Sequence, residues 1–379
     1  MPDPQPVVFG APMLPDPARL AGLTSEALAA GWLTNGGALH LRLEQALSGQ
    51  EEAGDAVSLT SSGTMALMLA LGLGRLPAGA EVITTPLTFA ATAQAIAWCG
   101  LKPVFADVEP ETLTLCPRAV GAAITPRTAA ILPVHFLGVP CDVEAMADLA
   151  RRHGLWLVHD AAHAFGVTFR GRSIGHFGDV SAFSLHATKL LHTGEGGFVV
   201  TRRDRAQELR RMRNFGLEAG LPVRPGLNGK MSEFHAAVGL TLLPDLAGEI
   251  AARRALRQAY DAALGGLPDL RLHGTRAGAS ESLIYYALRL APALRERLHL
   301  ALAEGGILAR DHFPSLCGPG TLWAGAGIAT ADGGPARAPD LGREVLCLPF
   351  HSRVTAVDVA RIGAITWAVL GPRHKETSG

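Results

Sequence analysis

The chain has 379 residues, of which 48% are hydrophobic and 6% aromatic, enough for a large core and two domains. Lys plus Arg and Asp plus Glu both count 34, so the formal net charge is zero, and charge gives no reason to expect nucleic acid or a membrane surface as partner. No apolar run approaches the roughly 20 residues that span a bilayer; the Pro-rich N-terminus lacks a basic-then-apolar leader; and the five scattered cysteines, with no CxxC pair, read as reduced thiols in a cytoplasmic protein without a metal site.

Residues 1–30 read as an irregular N-terminal segment with weak helical character. From about residue 56 strands and helices alternate. Strands are expected at 81–85, 102–108, 129–136 and 155–160, with helices at 89–98 and 143–153. Two further apolar runs follow at 180–185 and 197–201, then a charged helix at 204–213. A single long helix is expected from Ser232 past Tyr260. Near-continuous apolar strands separated by helices argue for a mostly parallel sheet covered on both faces. After about residue 265 the pattern changes. Short strands at 270–273, 283–290 and 345–349 alternate with helices at 292–304 and 356–369, and residues 318–340 read as a Gly/Ala/Pro-rich surface loop. The expected organisation is therefore an N-terminal segment (1–30), a large α/β domain (31–245) and a smaller C-terminal α/β domain (246–379).

Four motifs carry chemistry. SSGT (Ser61–Thr64) precedes a helical run; it suits a phosphate at a helix start, and equally a simple N-cap. Asp160, in HDAAHAFG, stands at the carboxyl end of an apolar strand, where open α/β sheets bind ligands. A carboxylate there can pair with a protonated ring nitrogen or merely cap a turn. Lys189, in SLHATK, sits in an apolar setting that suits a Schiff-base lysine, although a lysine opening a turn fits as well. Asn228 in GLNGKMSE is first of all a turn signal, and Ser232 can cap the following helix. No GxGxxG, GxxxxGK[ST] or HExxH occurs, which weakens dinucleotide, nucleoside-triphosphate and zinc readings.

The ordered set is more specific than its parts. SSGT, TPLTFAATAQAI, DVEPETL, ITPRTAAILPVHFLG, HDAAHAFG, SLHATK, GEGG, RNFG and GLNGKMSEFHAA follow one another along the chain. This succession resembles the DegT/DnrJ/EryC1/StrS family of sugar aminotransferases over residues 30–370, most strongly over 56–240. The resemblance implies the pyridoxal 5'-phosphate (PLP) transferase fold of type I, a large domain with a mostly parallel sheet between helices plus a smaller C-terminal domain. It implies Lys189 as the Schiff-base lysine and Asp160 as partner of the pyridine nitrogen. It places His163, where many members have Gln, against the phenolic oxygen, Phe89 on the ring, and Gly63, Thr64 and Ser184 at the phosphate. Asn228 would reach a phosphate across a homodimer interface, so that two chains share each site.

The spellings DAAH and SLHATK resemble enzymes that aminate nucleoside-diphosphate-linked 4-keto-6-deoxy sugars, with L-glutamate as donor in a ping-pong exchange. Thr34 and Asn35 in GWLTNGG, His186, and Arg310 and His312 in ILARDHFPSL fall on substrate-side segments. His312 replaces the family's usual Tyr, and Gly37-Ala38 replaces its Gly-Pro. Another keto acceptor such as a cyclitol, a dehydratase, or a non-catalytic PLP- or sugar-binding regulator are the competing readings. The retained Lys189 favours transamination over dehydration, and Lys189, Asp160 and Ser184 together argue against a non-catalytic regulator.

Overall fold

The computed structural model describes residues 5–49 and 55–371. Its centre is an eight-stranded sheet ordered Asp55–Thr60, Gly197–Arg202, Val180–Ser184, Trp156–Asp160, Thr128–Leu132, Glu81–Thr84, Lys102–Ala106 and Ile328–Ala329. Gly197–Arg202 runs antiparallel to both its neighbours, and every other pairing is parallel. The expected mostly parallel sheet is therefore present. The strand interiors are mostly apolar because both faces are covered.

Period-two alternation splits the strand residues between two cores. Val82, Ala130, Val158, Ala182 and Val199 pack with helix Gly63–Leu73 on one face. Ile83, Ile131, Leu157, Phe183 and Phe198 pack on the other with helices Ala38–Ser48, Val143–His153 and Glu233–Leu242. Asp160 is two residues beyond Val158, so it points to the face of helices Gly63–Leu73 and Ala90–Trp98. His159 points the other way.

A second, antiparallel sheet of Arg271–Leu272, Tyr286–Arg289 and Val345–Leu348 is covered by helices Leu246–Leu264, Pro292–Glu304 and Ala356–Leu370. Tyr260, Tyr286, Leu298, Leu346 and Ile362 fill its core, which Val7 from the N-terminal segment joins.

Two expectations need correction. The long helix from Ser232 is interrupted: Glu233–Leu242 and Leu246–Leu264 are separated by a 3-10 turn, Leu243–Asp245, that contains Pro244. Proline lacks the N–H of an interior helical position and its ring crowds the preceding turn. Ser232 does cap the first part, accepting from the His235 N–H. Residues 318–340 are not only a surface loop. Ile328–Ala329 adds the edge strand beside Phe105 and Ala106, and the Asp107 carboxylate accepts from the Arg337 and Ala338 N–H groups at the start of a short helix. Among the described residues no helix is long and apolar enough to cross a membrane.

Candidate active site

The carboxyl ends of the parallel strands converge on one cavity of about 360 Å³. Asp55–Thr60 leads into Ser61–Thr64, Glu81–Thr84 leads to Thr88 and Phe89, Trp156–Asp160 ends on Asp160, and Val180–Ser184 ends on Ser184. Ser62 accepts from the Met65 N–H at 3.1 Å and so caps helix Gly63–Leu73, whose first N–H groups lie at the cavity wall. A Cβ on Gly63 would come within 2.8 Å of Ser184 Cβ, so only glycine lets the helix start approach that strand end. Gly197 is similarly confined, where a Cβ would meet the Ser62 and Phe183 carbonyl oxygens at 2.6 and 2.7 Å.

Asp160 is buried. It accepts from the Thr92 hydroxyl at 2.8 Å and from the Ala162 N–H at 3.1 Å, and Thr92 is in turn 2.6 Å from the Thr88 hydroxyl. Burial pushes the carboxyl up from its ordinary range, while these two donors and the nearby Lys189 charge pull it down. Lys189 stands in the loop after Val180–Ser184. Hydrogen bonds from the Leu185 and Ala187 N–H groups to the Gly196 and Gly194 carbonyls clip that loop to the GEGG turn. Burial brings the Lys189 amine down to about 8, with Asp160 opposing.

His163 follows Asp160 and is buried with Nδ1 lacking any partner among the described residues. Its ring stacks on Phe313 at 5.4 Å and 4° and meets Tyr285 edge-on. Burial holds it neutral, aided by the charge of Lys189. Phe89 is 59% exposed at the rim, edge-on to Phe313. His186 is hydrogen bonded to Thr188 Oγ1 at 2.9 Å and lies 3.8 Å from Glu195. Arg310 and His312 arrive from the side of the second sheet, and burial followed by the Arg310 charge brings His312 down to about 4.

Thus Gly63, Thr64, Phe89, Asp160, His163, Ser184, His186, Lys189, Arg310 and His312 line one cavity. Thr34, Asn35 and Asn228 do not. Thr34 and Asn35 are exposed in the loop before helix Ala38–Ser48, and Asn228 is exposed and bridged to Asn214. Sequence reasoning missed Phe9, Thr88, Thr92, Arg253, Tyr285 and Phe313 as lining residues. For Thr88 and Thr92 a signal existed, since their i,i+4 spacing at a helix start puts both hydroxyls on one side. For the others the segments hold no local pattern. Behind the sheet, His135 and His159 lie 3.1 Å apart beside Cys141. His135 Nδ1 accepts from the Cys141 N–H, so the trio is a hydrogen-bonded pair rather than three open ligands.

A sequence model of the "DegT/DnrJ/EryC1/StrS aminotransferase family" matches residues 18–366. The chain belongs to the DegT/DnrJ/EryC1/StrS aminotransferase family. Like other members, it is an aminotransferase. It is 34% identical over 359 residues to the dTDP-4-amino-4,6-dideoxy-D-glucose transaminase of Escherichia coli, covering 93% of this chain and 95% of that one. The Shigella dysenteriae transaminase of the same name is 36% identical over 330 residues, 85% and 88% of the two chains. Among solved structures, DesI in the presence of its TDP-sugar product superposes with a TM-score of 0.86 at 34% identity, covering 97% of this chain and 93% of that one. The aminotransferase TlmJ from Streptoalloteichus hindustanus gives 0.86 at 29%, covering 96% and 98%. The DegT/DnrJ/EryC1/StrS fold thus spans the described chain, consistent with fold type I.

Proposed function

We propose that this enzyme binds PLP on Lys189 and transfers an amino group from L-glutamate to a nucleoside-diphosphate-linked keto sugar, a 4-keto-6-deoxy sugar by the names of its relatives. The observation that carries the reading is the pairing of a buried carboxylate, Asp160, with a depressed amine, Lys189, in a cavity that also holds an unpartnered imidazole nitrogen on His163. The donor set fits the cofactor. Asp160, disfavoured as a bare buried anion, gains from a protonated pyridine nitrogen. His163 offers a neutral imidazole to a phenolic oxygen. Ser184, Thr64 and the helix start at Gly63 suit a phosphate, and Phe89 offers a ring face.

When bound, PLP supplies a carbonyl for amine exchange and an electron sink for the carbanion. The chain supplies the rest. Lys189 Nζ, neutral in part near pH 8, holds the cofactor, then serves as base for the donor's Cα proton. In the opposite direction the same nitrogen delivers a proton to the acceptor carbon. Phe313 and Tyr285 fix the His163 ring and exclude water beside it.

Thr34, Asn35 and Asn228 are proposed to complete the site of a second copy. Support comes from exposed apolar residues near them: Trp32, Leu33, Leu41 and Phe234. The Glu233 N–H bonds the Leu33 carbonyl and its carboxylate accepts from Leu39 and His40, which joins the two segments into one surface. We also propose a domain division near residue 245, at the Pro244 turn.

Borohydride reduction of the protein with PLP, followed by peptide mass spectrometry, tests the central claim. The phosphopyridoxyl group is expected on Lys189. A label elsewhere, or none, would overturn it. Bleaching of the cofactor absorbance by glutamate tests the donor.

A further inference from the structure

The N-terminal segment is built into the cavity. Val7 pairs with Ile307, its N–H bonding the Gly306 carbonyl and its carbonyl accepting from Leu308, both at 2.9 Å. His351 Nε2 donates to the Val8 carbonyl at 3.0 Å, fixing the next residue. The bridged segment therefore delivers Phe9 to one place. Its ring meets His312 edge-on at 5.0 Å and stacks near Tyr285 at 6.2 Å.

The guanidinium of Arg310 lies 5.0 Å from the centre of the same ring. The Arg310 backbone is pinned by a reciprocal pair of 2.9 Å hydrogen bonds with Cys347. Its side chain has no carboxylate or hydrogen-bond partner among the described residues. The other arginine among the cavity-lining residues, Arg253, is tied: Glu249 holds it at 2.6 Å and the Leu283 carbonyl at 2.9 Å. A cavity cation left without an anion, and steadied on an aromatic face, is prepared for an anionic ligand.

We propose that Arg310 receives the diphosphate of the nucleotide-linked acceptor, and that Phe9 is a positioning residue that holds Arg310 for it. The inference rests on the acceptor class proposed above. Lys189 and the helix start at Gly63 are assigned to the cofactor, which leaves Arg310, a partly solvent-exposed lining residue, as the cavity cation without an anion among the described residues. Phe9 contributes a ring face that fixes a long side chain before the ligand arrives, so less conformational freedom is lost on binding. The first residues of the chain thereby become part of acceptor recognition.

Titration calorimetry of thymidine diphosphate into the PLP-loaded enzyme tests this. Arg310→Gln should weaken binding about tenfold or more, and Phe9→Ala about fivefold. Because Phe9 acts through Arg310, the double variant should bind no worse than Arg310→Gln, within about twofold. Phe9→Tyr, which keeps the ring face, should bind within about twofold of the parent. Unchanged binding in Phe9→Ala, or additive losses in the double variant, would overturn the positioning role. A parent enzyme that fails to bind the nucleotide would overturn the whole inference. Glutamate bleaching, read on the same samples, reports the donor half alone. Its loss in the parent enzyme marks failure of the functional reading, while normal bleaching with unaltered nucleotide binding in Phe9→Ala marks failure of this inference only. A Phe9→Ala protein that loses bleaching as well counts against it, because Phe9 would then support the cavity in general.

Discussion

Thr92 donates its hydroxyl to Asp160 at 2.8 Å from the first turn of helix Ala90–Trp98. The bond opposes the rise that burial imposes on the Asp160 carboxyl. Thr92→Val preserves shape and removes the donor. The carboxyl should then rise further and its grip on a ring cation weaken. We expect the glutamate half-reaction to slow about tenfold, with a loss of ~1–3 kcal/mol in stability for the unpaired acceptor. Stopped-flow bleaching and thermal melts measure the two effects separately; a rate equal to the parent's would remove Thr92 from the site.

Burial sets Lys189 at about 8 despite the attraction of Asp160. Only the neutral amine attacks a carbonyl, and the fraction neutral grows as pH rises through that value. Uptake of PLP by cofactor-stripped protein should therefore accelerate from roughly pH 6 to roughly pH 8 and level off above it. Lys189→Ala should show no covalent uptake at any pH. An uptake rate independent of pH would contradict the assigned ionisation.

Gly63→Ala places a Cβ 2.8 Å from that of Ser184, between a helix start and a strand end. Both are backbone-anchored, so neither yields easily. The expected result is a stability loss of ~1–3 kcal/mol together with a weakened hold on PLP. Equilibrium dialysis of cofactor at a temperature where the variant is folded distinguishes the second effect from the first.

Glu44 and Arg213 form a buried pair beneath the sheet edge, 3.1 Å apart, and Glu44 also accepts from the Leu59 N–H at 3.1 Å. Burial would raise the Glu44 carboxyl; His40, 3.7 Å away, and the Arg213 guanidinium more than offset it and hold it at about 2. A carboxyl depressed on folding stabilises above its unfolded value of 4.5 and loses that contribution as pH falls from there toward 2. Glu44→Gln strands the buried cation, so stability near neutrality should drop by ~3 kcal/mol and the acid limb should flatten. Urea unfolding at several pH values checks both.

Asn228 is exposed in one chain and carries a role only if a second chain brings it to the cavity. Mixed dimers of Lys189→Ala and Asn228→Ala protomers should recover part of the activity that each homodimer lacks. With mixed species confirmed by native mass spectrometry, absence of recovery would count against a shared site.

How much of this was legible in the sequence depends on how local the signal is. Asp160 and Lys189 each allowed a plain structural reading as well, and the order of the motifs along the chain, rather than either residue alone, singled them out. The mostly parallel sheet followed from strands apolar on both faces. Pro244 could have divided the long helix in advance, since an interior proline is a local rule. The strand Ile328–Ala329 could not be read, because two residues in a Gly-rich stretch become a strand only against Phe105 and Ala106. Phe9, Arg253 and Tyr285 are far apart along the chain and meet only through tertiary packing. Thr34, Asn35 and Asn228 lie on exposed segments away from the cavity of one chain, and no local pattern says what they would meet.

The pairing of Val7 with Ile307 and of Val8 with His351 also has a meaning for biosynthesis. The second of these joins residues 343 positions apart. During synthesis the segment at Val8 has to wait for His351 to emerge before that partner exists. Most of the large sheet can assemble beforehand, since all its strands except the edge strand Ile328–Ala329 lie within residues 55–202. The wall that carries Phe9 is therefore among the last parts to close, and the nascent chain can form the Lys189 side of the cavity before the Phe9 side.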